Sequence, residues 1–320
     1  MKEAIGTDSE VMAEYAAVRD GGVGLIDLSA RGRISVSGSE AVMFLNGLIT
    51  NDLKTLGENC WMPAAFPNVQ GRLLAAVRVL RRADDILLDT DAVTREKVIR
   101  IIERFTLAGD FKVRDLTEET ALISVQGRVA AEIVEEISPE EITIVPATHT
   151  AEKGFDLIVS AERKDGLWHT LVDRGATPVS ERVEEILRIE AGIARYGVDM
   201  DETNVVTETN LEDAVSFTKG CYLGQEIIIR IKHRGHVAKK LTGLRFETDR
   251  KIEPGAVIKS SGEKEIGRVT SSTFSPRLGT IVGLGYVRYE HLTPGTRVLV
   301  DGAGAETAEL PLVRGSWNHE

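Results

Sequence analysis

The residues best suited to chemistry stand together in Lys219-Gly220-Cys221-Tyr222-Leu223-Gly224-Gln225-Glu226. One of only two cysteines lies there between glycines, with a lysine two residues ahead and a Gln-Glu pair close behind. A thiol reacts, or binds metal, as the thiolate, and a neighbouring ammonium favours that form. Glycines let the backbone take positive φ or approach another group closely. The plainer reading is a loop around a buried, inert thiol, since free cysteine is among the most buried residue types. On chemistry alone the two readings stand even.

A second candidate lies in SERVEEILRIEAG, residues 180–192, which Ser180 opens as a helix. At helical spacing Val183, Ile186, Leu187 and Glu190 share one face. A carboxylate on an apolar stripe needs a cation, a cluster of donors or a ligand, and a core ion pair is its commonest fate. Asn68 and Gly71 mark a hairpin turn that carries Arg72, which reads equally as a pocket cation or an exposed charge. Arg230, Lys232, Arg234, Lys239 and Lys240, with His233 and His236, form a local basic cluster that is either a solvated face or a rim for an anionic partner. His149 and His169 lack a second ligand at metal spacing and read as loop or packing residues, so no metal site is expected.

Composition narrows the classes. A chain of 320 residues can hold two or three domains, and 42% hydrophobic with 28% charged residues is ordinary for a globular protein. A net charge of −11 speaks against general nucleic-acid binding, which needs a basic footprint. No run approaches the ~18–20 apolar residues of a membrane span, and MKEAIGTDSE lacks the apolar core of a secretory leader. Two distant cysteines, Cys60 and Cys221, supply neither a disulfide framework nor a four-cysteine cluster site within one chain. The expectation is a cytoplasmic monomer with no nucleic-acid or membrane partner.

The elements that must position these residues follow from periodicity. Asp8 or Ser9 caps a helix through Tyr15 and Val18. The glycines of GGVGLIDLS precede their apolar run rather than follow a strand, so they read as a turn and not as a phosphate loop. Residues 33–38 form a strand after which Ser39 caps a helix, and 122–127 repeat the phrase before a helix through Ile133 and Ile137. Asp91 caps a helix with Val98, Ile101, Ile102 and Phe105 on one face, closed by Gly109. Residues 138–180 read as strands and turns. The run Ile227–Ile229 favours a strand by propensity. From Leu241 short apolar runs broken by Pro254-Gly255, Gly267 and Pro294-Gly295 have the rhythm of a small antiparallel barrel or sandwich.

The central motif resembles the Lys-Gly-Cys-Tyr-x-Gly-Gln-Glu signature of the YgfZ-type folate-binding proteins, relatives of the glycine-cleavage T-protein. All seven specified positions match, at Lys219, Gly220, Cys221, Tyr222, Gly224, Gln225 and Glu226. GLIDLS followed by FLNGLITNDL resembles the opening of T-protein-like chains, and LRIEAGIARYGVDMDETN resembles their Leu-Arg-x-Glu-x-Gly…Tyr-Gly-x-Asp segment. The resemblance implies an α+β fold of interleaved ferredoxin-like folate-binding modules, about 1–50 with 115–185 and about 55–114, within a T-protein-like region 1–238. A C-terminal antiparallel β-barrel over 239–320 completes it, and a helix begins near Gln225.

It also implies tetrahydrofolate or a derivative as cofactor. Glu190 would receive the pterin N–H pair in a fork. Asn68, Arg72, Tyr222 and Arg230 would line the cavity or its rim, while Gly220, Gly224, Gln225 and Glu226 would shape the loop. Cys221 would be the working thiol with Lys219 favouring its thiolate, and attack, oxidation and transient binding of cluster iron all stay open for it. The function implied is an accessory role in assembly or repair of iron–sulfur clusters, with that machinery or its client enzymes as partners. The alternative is a folate-dependent aminomethyltransferase. Against the alternative, an acidic pair follows the hairpin turn in the T-protein, and here the aligned positions are Ala75 and Ala76. Alanine can neither accept a proton nor stabilise a cationic transition state.

Overall fold

The computed structural model describes residues 8–104, 109–135, 137 and 142–319. The chain divides into two compact units, one of Met1–Leu28, Leu122–Ala194 and Ala238–Glu320, the other of Ser29–Ala121 and Arg195–Val237.

In the first unit, helix α1 (Ser9–Arg19) is capped by the Asp8 carboxylate, which accepts from the Glu10 N–H, and buries Val11, Tyr15 and Val18 at one-turn spacing. Those side chains pack on Val183, Ile186 and Leu187 of α6 (Glu181–Glu190). A five-stranded sheet holds β1 (Gly24–Asp27), β7 (Thr120–Gln126), β8 (Thr143–Pro146), β9 (Gly154–Ser160) and β10 (Thr177–Pro178), in the order β10-β1-β7-β9-β8, with the short helix α4 (Ala130–Glu135) following β7. The glycine-rich entry to β1 has a packing reason. A Cβ on Gly24 would stand 2.4 Å from Val18 and 2.7 Å from Val179.

Six strands then close a barrel in the order β11-β14-β13-β12-β15-β16, running from β11 (Lys239–Phe246) through β12 (Val257–Ser260), β13 (Glu265–Ser275), β14 (Thr280–Arg288) and β15 (Arg297–Val300) to β16 (Ala303–Ala308). All its pairings are antiparallel, as the turn rhythm predicts, and its core is Leu244, Phe246, Ile258, Val269, Ile281 and Val300 with their neighbours. Ile189 of α6 packs on a satellite cluster with Leu241, Val282 and Leu284, so α6 lies between α1 and the barrel.

The second unit is built on the sheet β3-β4-β5-β2-β6, from β2 (Gly32–Ser37), β3 (Trp61–Pro67), β4 (Leu73–Arg81), β5 (Ile86–Thr90) and β6 (Lys112–Asp115). Helices α2 (Ala41–Leu48) and α3 (Arg95–Glu103) cover it, placing Leu45, Leu48, Val98 and Ile102 in one core with Val36, Val77 and Leu88. Helix α7 (Gln225–Arg234) also belongs here. Its β-branched run is helical because glycines in the left-handed region, Gly224 and Gly235, bound it on both sides and only Ile228 needs burial.

Several expectations are corrected. Residues 33–48 do not share a sheet with the N-terminal strand, because β2 pairs with β5 and β6 and draws α2 with it. Ser39 is not the cap of α2, because Glu40 holds that position and the Ser39 hydroxyl donates to Asp110. The stretch 138–180 contains a helix, α5 (Lys164–Asp173), hidden in the sequence because only Leu167 and Leu171 of its ten residues are buried. A 3₁₀ turn, Ala92–Thr94, stands between Asp91 and α3. Phe105 lies outside the described residues. Among the described residues no helix is long and apolar enough to cross a membrane.

Candidate functional site

Lys219 is buried, and its ammonium donates to the carbonyls of Asn46 (2.6 Å), Ile49 (3.0 Å) and Asn51 (2.6 Å), with the Asn46 Oδ1 at 3.2 Å. These acceptors lie in the last turn of α2 and just beyond it, where a helix leaves carbonyls without intrahelical partners and carries partial negative charge. Burial pushes the Lys219 ammonium down to about 8, with Asp52 pulling it up and Lys54 down. Leu223 adds a second tether, its N–H donating to the Gly47 carbonyl at 3.2 Å.

Between these tethers Gly220 has no atom within 4 Å of where a Cβ would sit, and Cys221 is exposed. Among the described residues Cys221 forms no hydrogen bond to Lys219 or to any other group. The thiol is thus not the buried one of the plainer reading. Cys60 is exposed as well. Tyr222 turns inward, 7% exposed, its ring 5.1 Å from the Lys219 ammonium. Its hydroxyl is buried without a hydrogen-bond partner among the described residues, and burial raises its pKa to about 12.

Gly224 joins the loop to the hairpin. Its φ is +77°, and a Cβ there would lie 2.2 Å from the Asn68 carbonyl oxygen. The Asn68 Oδ1 accepts the N–H groups of Gln70 (2.8 Å) and Arg72 (3.0 Å), which fixes the turn, and its amide nitrogen is left with no partner among the described residues. The Arg72 guanidinium donates to the Thr203 carbonyl. Gln225 reaches the Gly220 carbonyl over a long 3.4 Å, and Glu226 pairs with Arg230 at 2.6 Å along the exposed side of α7. The second unit therefore brings together Asn68, Arg72, the 219–226 loop and the start of α7. The acidic-pair positions lie on β4, where Ala75 is fully buried against the core and Ala76 is half-buried, so that strand offers no carboxylate there.

Glu190 belongs to the first unit and has no exposed surface. Tyr15 donates across both carboxylate oxygens at 2.9 Å each, and the Ser275 hydroxyl adds to Oε1. Arg19 donates to Oε2 through Nε (3.2 Å) and Nη2 (3.0 Å). Arg19 also reaches Glu152 at 3.0 Å, and Glu152 accepts from the N–H and hydroxyl of Ser316. Burial works against the charge on Arg19, but Glu190 and Glu152 more than offset it and hold the guanidinium protonated. Burial, and then Glu190, push the Tyr15 hydroxyl well above its ordinary range. A pterin could reach Glu190 only by displacing these donors.

Sequence reasoning missed Tyr15, Arg19, Ser275 and Asn46 as partners. Tyr15 and Arg19 stand at i and i+4 on the buried face of α1, a signal that was present. Nothing local marks Ser275 or Asn46. His149 is paired after all, its Nε2 lying 3.2 Å from both oxygens of the buried Asp156.

Residues 4–146 and 140–219 match the profile of the GCVT N-terminal domain, and residues 239–313 match the glycine cleavage T-protein C-terminal barrel domain. An aminomethyltransferase of Rubrobacter xylanophilus is 31% identical, over 87% of this chain and 79% of its own. One from Thermotoga neapolitana is 29% identical, over 98% of this chain and 92% of its own. The crystal structure of the glycine cleavage system aminomethyltransferase T from Bartonella henselae superposes with a TM-score of 0.87, covering 95% of this chain and 89% of the other. At 24% identity that last likeness is one of fold.

Proposed function

Because this chain belongs to the glycine-cleavage T-protein family, we propose that it is an aminomethyltransferase-like protein that binds a reduced folate, tetrahydrofolate or a derivative. The observation that carries this reading is the match to both T-protein domains together with aminomethyltransferases aligned along nearly the whole chain. The relatives' name favours one-carbon transfer over an iron–sulfur role.

The chain's own residues fit a folate unevenly. The buried Tyr222 hydroxyl and the Asn68 amide nitrogen, both without a partner among the described residues, and the Arg72 guanidinium are donors gathered in one unit, and they suit the carbonyl and carboxylate groups of such a ligand. Arg230, paired on an exposed helix face, suits a rim role. Glu190 fits least, its acceptor sites being filled from within the protein. Bound tetrahydrofolate would supply the nucleophilic nitrogen that takes up a one-carbon unit. Strand β4 supplies no acid for that step, so transfer would need a carboxylate from elsewhere in the chain.

A second reading rests on the full match to the YgfZ-type motif and on the presentation of Cys221: an accessory folate protein of iron–sulfur cluster assembly or repair, acting through that thiol on cluster machinery or client enzymes. Calorimetric titration with tetrahydrofolate and 5-formyltetrahydrofolate tests the common premise, and absence of binding overturns both readings. Turnover with an aminomethyl-lipoyl carrier then separates them. Turnover well above background supports the transferase. Binding without turnover, with rescue of iron–sulfur enzymes in cells lacking the protein, supports the accessory role.

A further inference from the structure

We infer that Lys219 is a positioning residue: its ammonium latches the Cys221 loop onto the C-terminal end of α2, and the reactivity of the thiol does not depend on that charge. This rests on the second reading above, in which Cys221 is the working group.

An ammonium has three N–H donors. The carbonyls of Asn46, Ile49 and Asn51 take them at 2.6, 3.0 and 2.6 Å, with the Asn46 side-chain oxygen as a further acceptor. None is left for a thiolate. A lysine that activates a thiol needs its charge beside the sulfur in a partly open setting. Here the ammonium is buried and the thiol is exposed.

The rest of the loop shows the same division. Its shoulders are tied down: the Ser216 N–H donates to the Thr50 carbonyl (3.0 Å), the Lys219 N–H to the Ser216 hydroxyl (3.2 Å) and the Leu223 N–H to the Gly47 carbonyl (3.2 Å), while Gly224 abuts the Asn68 carbonyl. At the tip, Gly220 has open space where a Cβ would sit, Cys221 is exposed, and the Gln225 side chain reaches the Gly220 carbonyl over a long 3.4 Å. A tip held at both shoulders keeps the thiol presented at the surface.

The test compares Lys219→Met and Lys219→Arg with the unaltered full chain. Arginine keeps the charge, but its planar fork does not match a cage built for a compact ammonium. In both variants amide exchange over 216–224 and 45–51 should quicken by about tenfold or more, as for loss of a local tether. The pH midpoint of Cys221 labelling by iodoacetamide should stay where it is. A midpoint raised by about one pH unit in Lys219→Met but not in Lys219→Arg, with exchange unaltered in both, would show charge activation and overturn the latch. If neither variant folds, the unaltered protein decides. A caged amine should be among the slowest lysines to be acetylated, and rapid acetylation of Lys219 rejects the cage. Cys221→Ser separates this inference from the reading beneath it. Full rescue by that variant removes the working thiol, whereas the exchange data report the latch alone.

Discussion

Arg19 and Glu190 meet 171 positions apart in sequence, through two N–H donors of one guanidinium and a single carboxylate oxygen at 3.2 and 3.0 Å, with neither side chain more than 2% exposed. With Tyr15 and Ser275 on the same carboxylate, the pair ties α1, α6 and the barrel strand β13 into one unit. The helix whose sequence most resembles a folate-binding segment thus ends in an internal fastening.

Glu190→Gln should accordingly act on stability. Removing the charge leaves Arg19 opposite a buried amide with Glu152 as its remaining carboxylate partner, and losing a charged hydrogen-bond partner of this kind costs about 1.5–3 kcal/mol. A urea titration should show the loss, with folate affinity of the folded protein nearly unchanged. Weaker folate binding at unaltered stability would return Glu190 to the pterin.

Gly224→Ala tests the join between the motif loop and the hairpin. The added methyl would meet the Asn68 carbonyl at 2.2 Å in a backbone of φ +77°. Left-handed strain and overpacking together should cost about 2–4 kcal/mol. Iodoacetamide labelling of Cys221 should change along with stability, because the loop must move to admit the methyl.

Cys221→Ser should leave the melting temperature nearly unchanged, since an exposed side chain without a partner contributes little packing. In the native protein both Cys221 and Cys60 should be alkylated without denaturant. Protection of Cys221 until unfolding would mean that the loop is closed over it.

Asp89 sets part of the acid limb. Burial pushes its carboxyl up, but Arg31 (2.8 Å) and Arg78 (2.6 Å) outweigh burial and hold it below its ordinary value. With the folded value depressed, its contribution is complete above the unfolded carboxylate range, about 3.9, and is lost as pH falls through the folded value. Asp89→Asn should lower stability at neutral pH and flatten the decline between pH 4 and 2, read by urea midpoints across that window. A variant whose pH profile simply parallels the parent's would remove Asp89 from the acid transition.

The sequence by itself determined what depends on local period and turn chemistry. Val11, Tyr15 and Val18 recur at one-turn spacing and specify α1, Asn68 and Gly71 specify the β3–β4 turn, and the proline–glycine breaks specify short antiparallel strands, which tertiary structure closes into a barrel rather than a sandwich. The motif also marked its loop as unusual. Tertiary structure alone decided what each polar group faces. Glu190 sits on an apolar stripe whether its partner is a ligand or a guanidinium, and only the packing of α1 on α6 supplies Arg19. Lys219 is two residues from Cys221 along the chain, yet its ammonium goes to α2, because helix-end carbonyls without partners outcompete an exposed thiol. Sheet membership was equally out of reach. Residues 32–48 follow β1 directly, but β2 finds its hydrogen-bond partners in β5 and β6, and strand pairing between distant segments leaves no mark in local spacing.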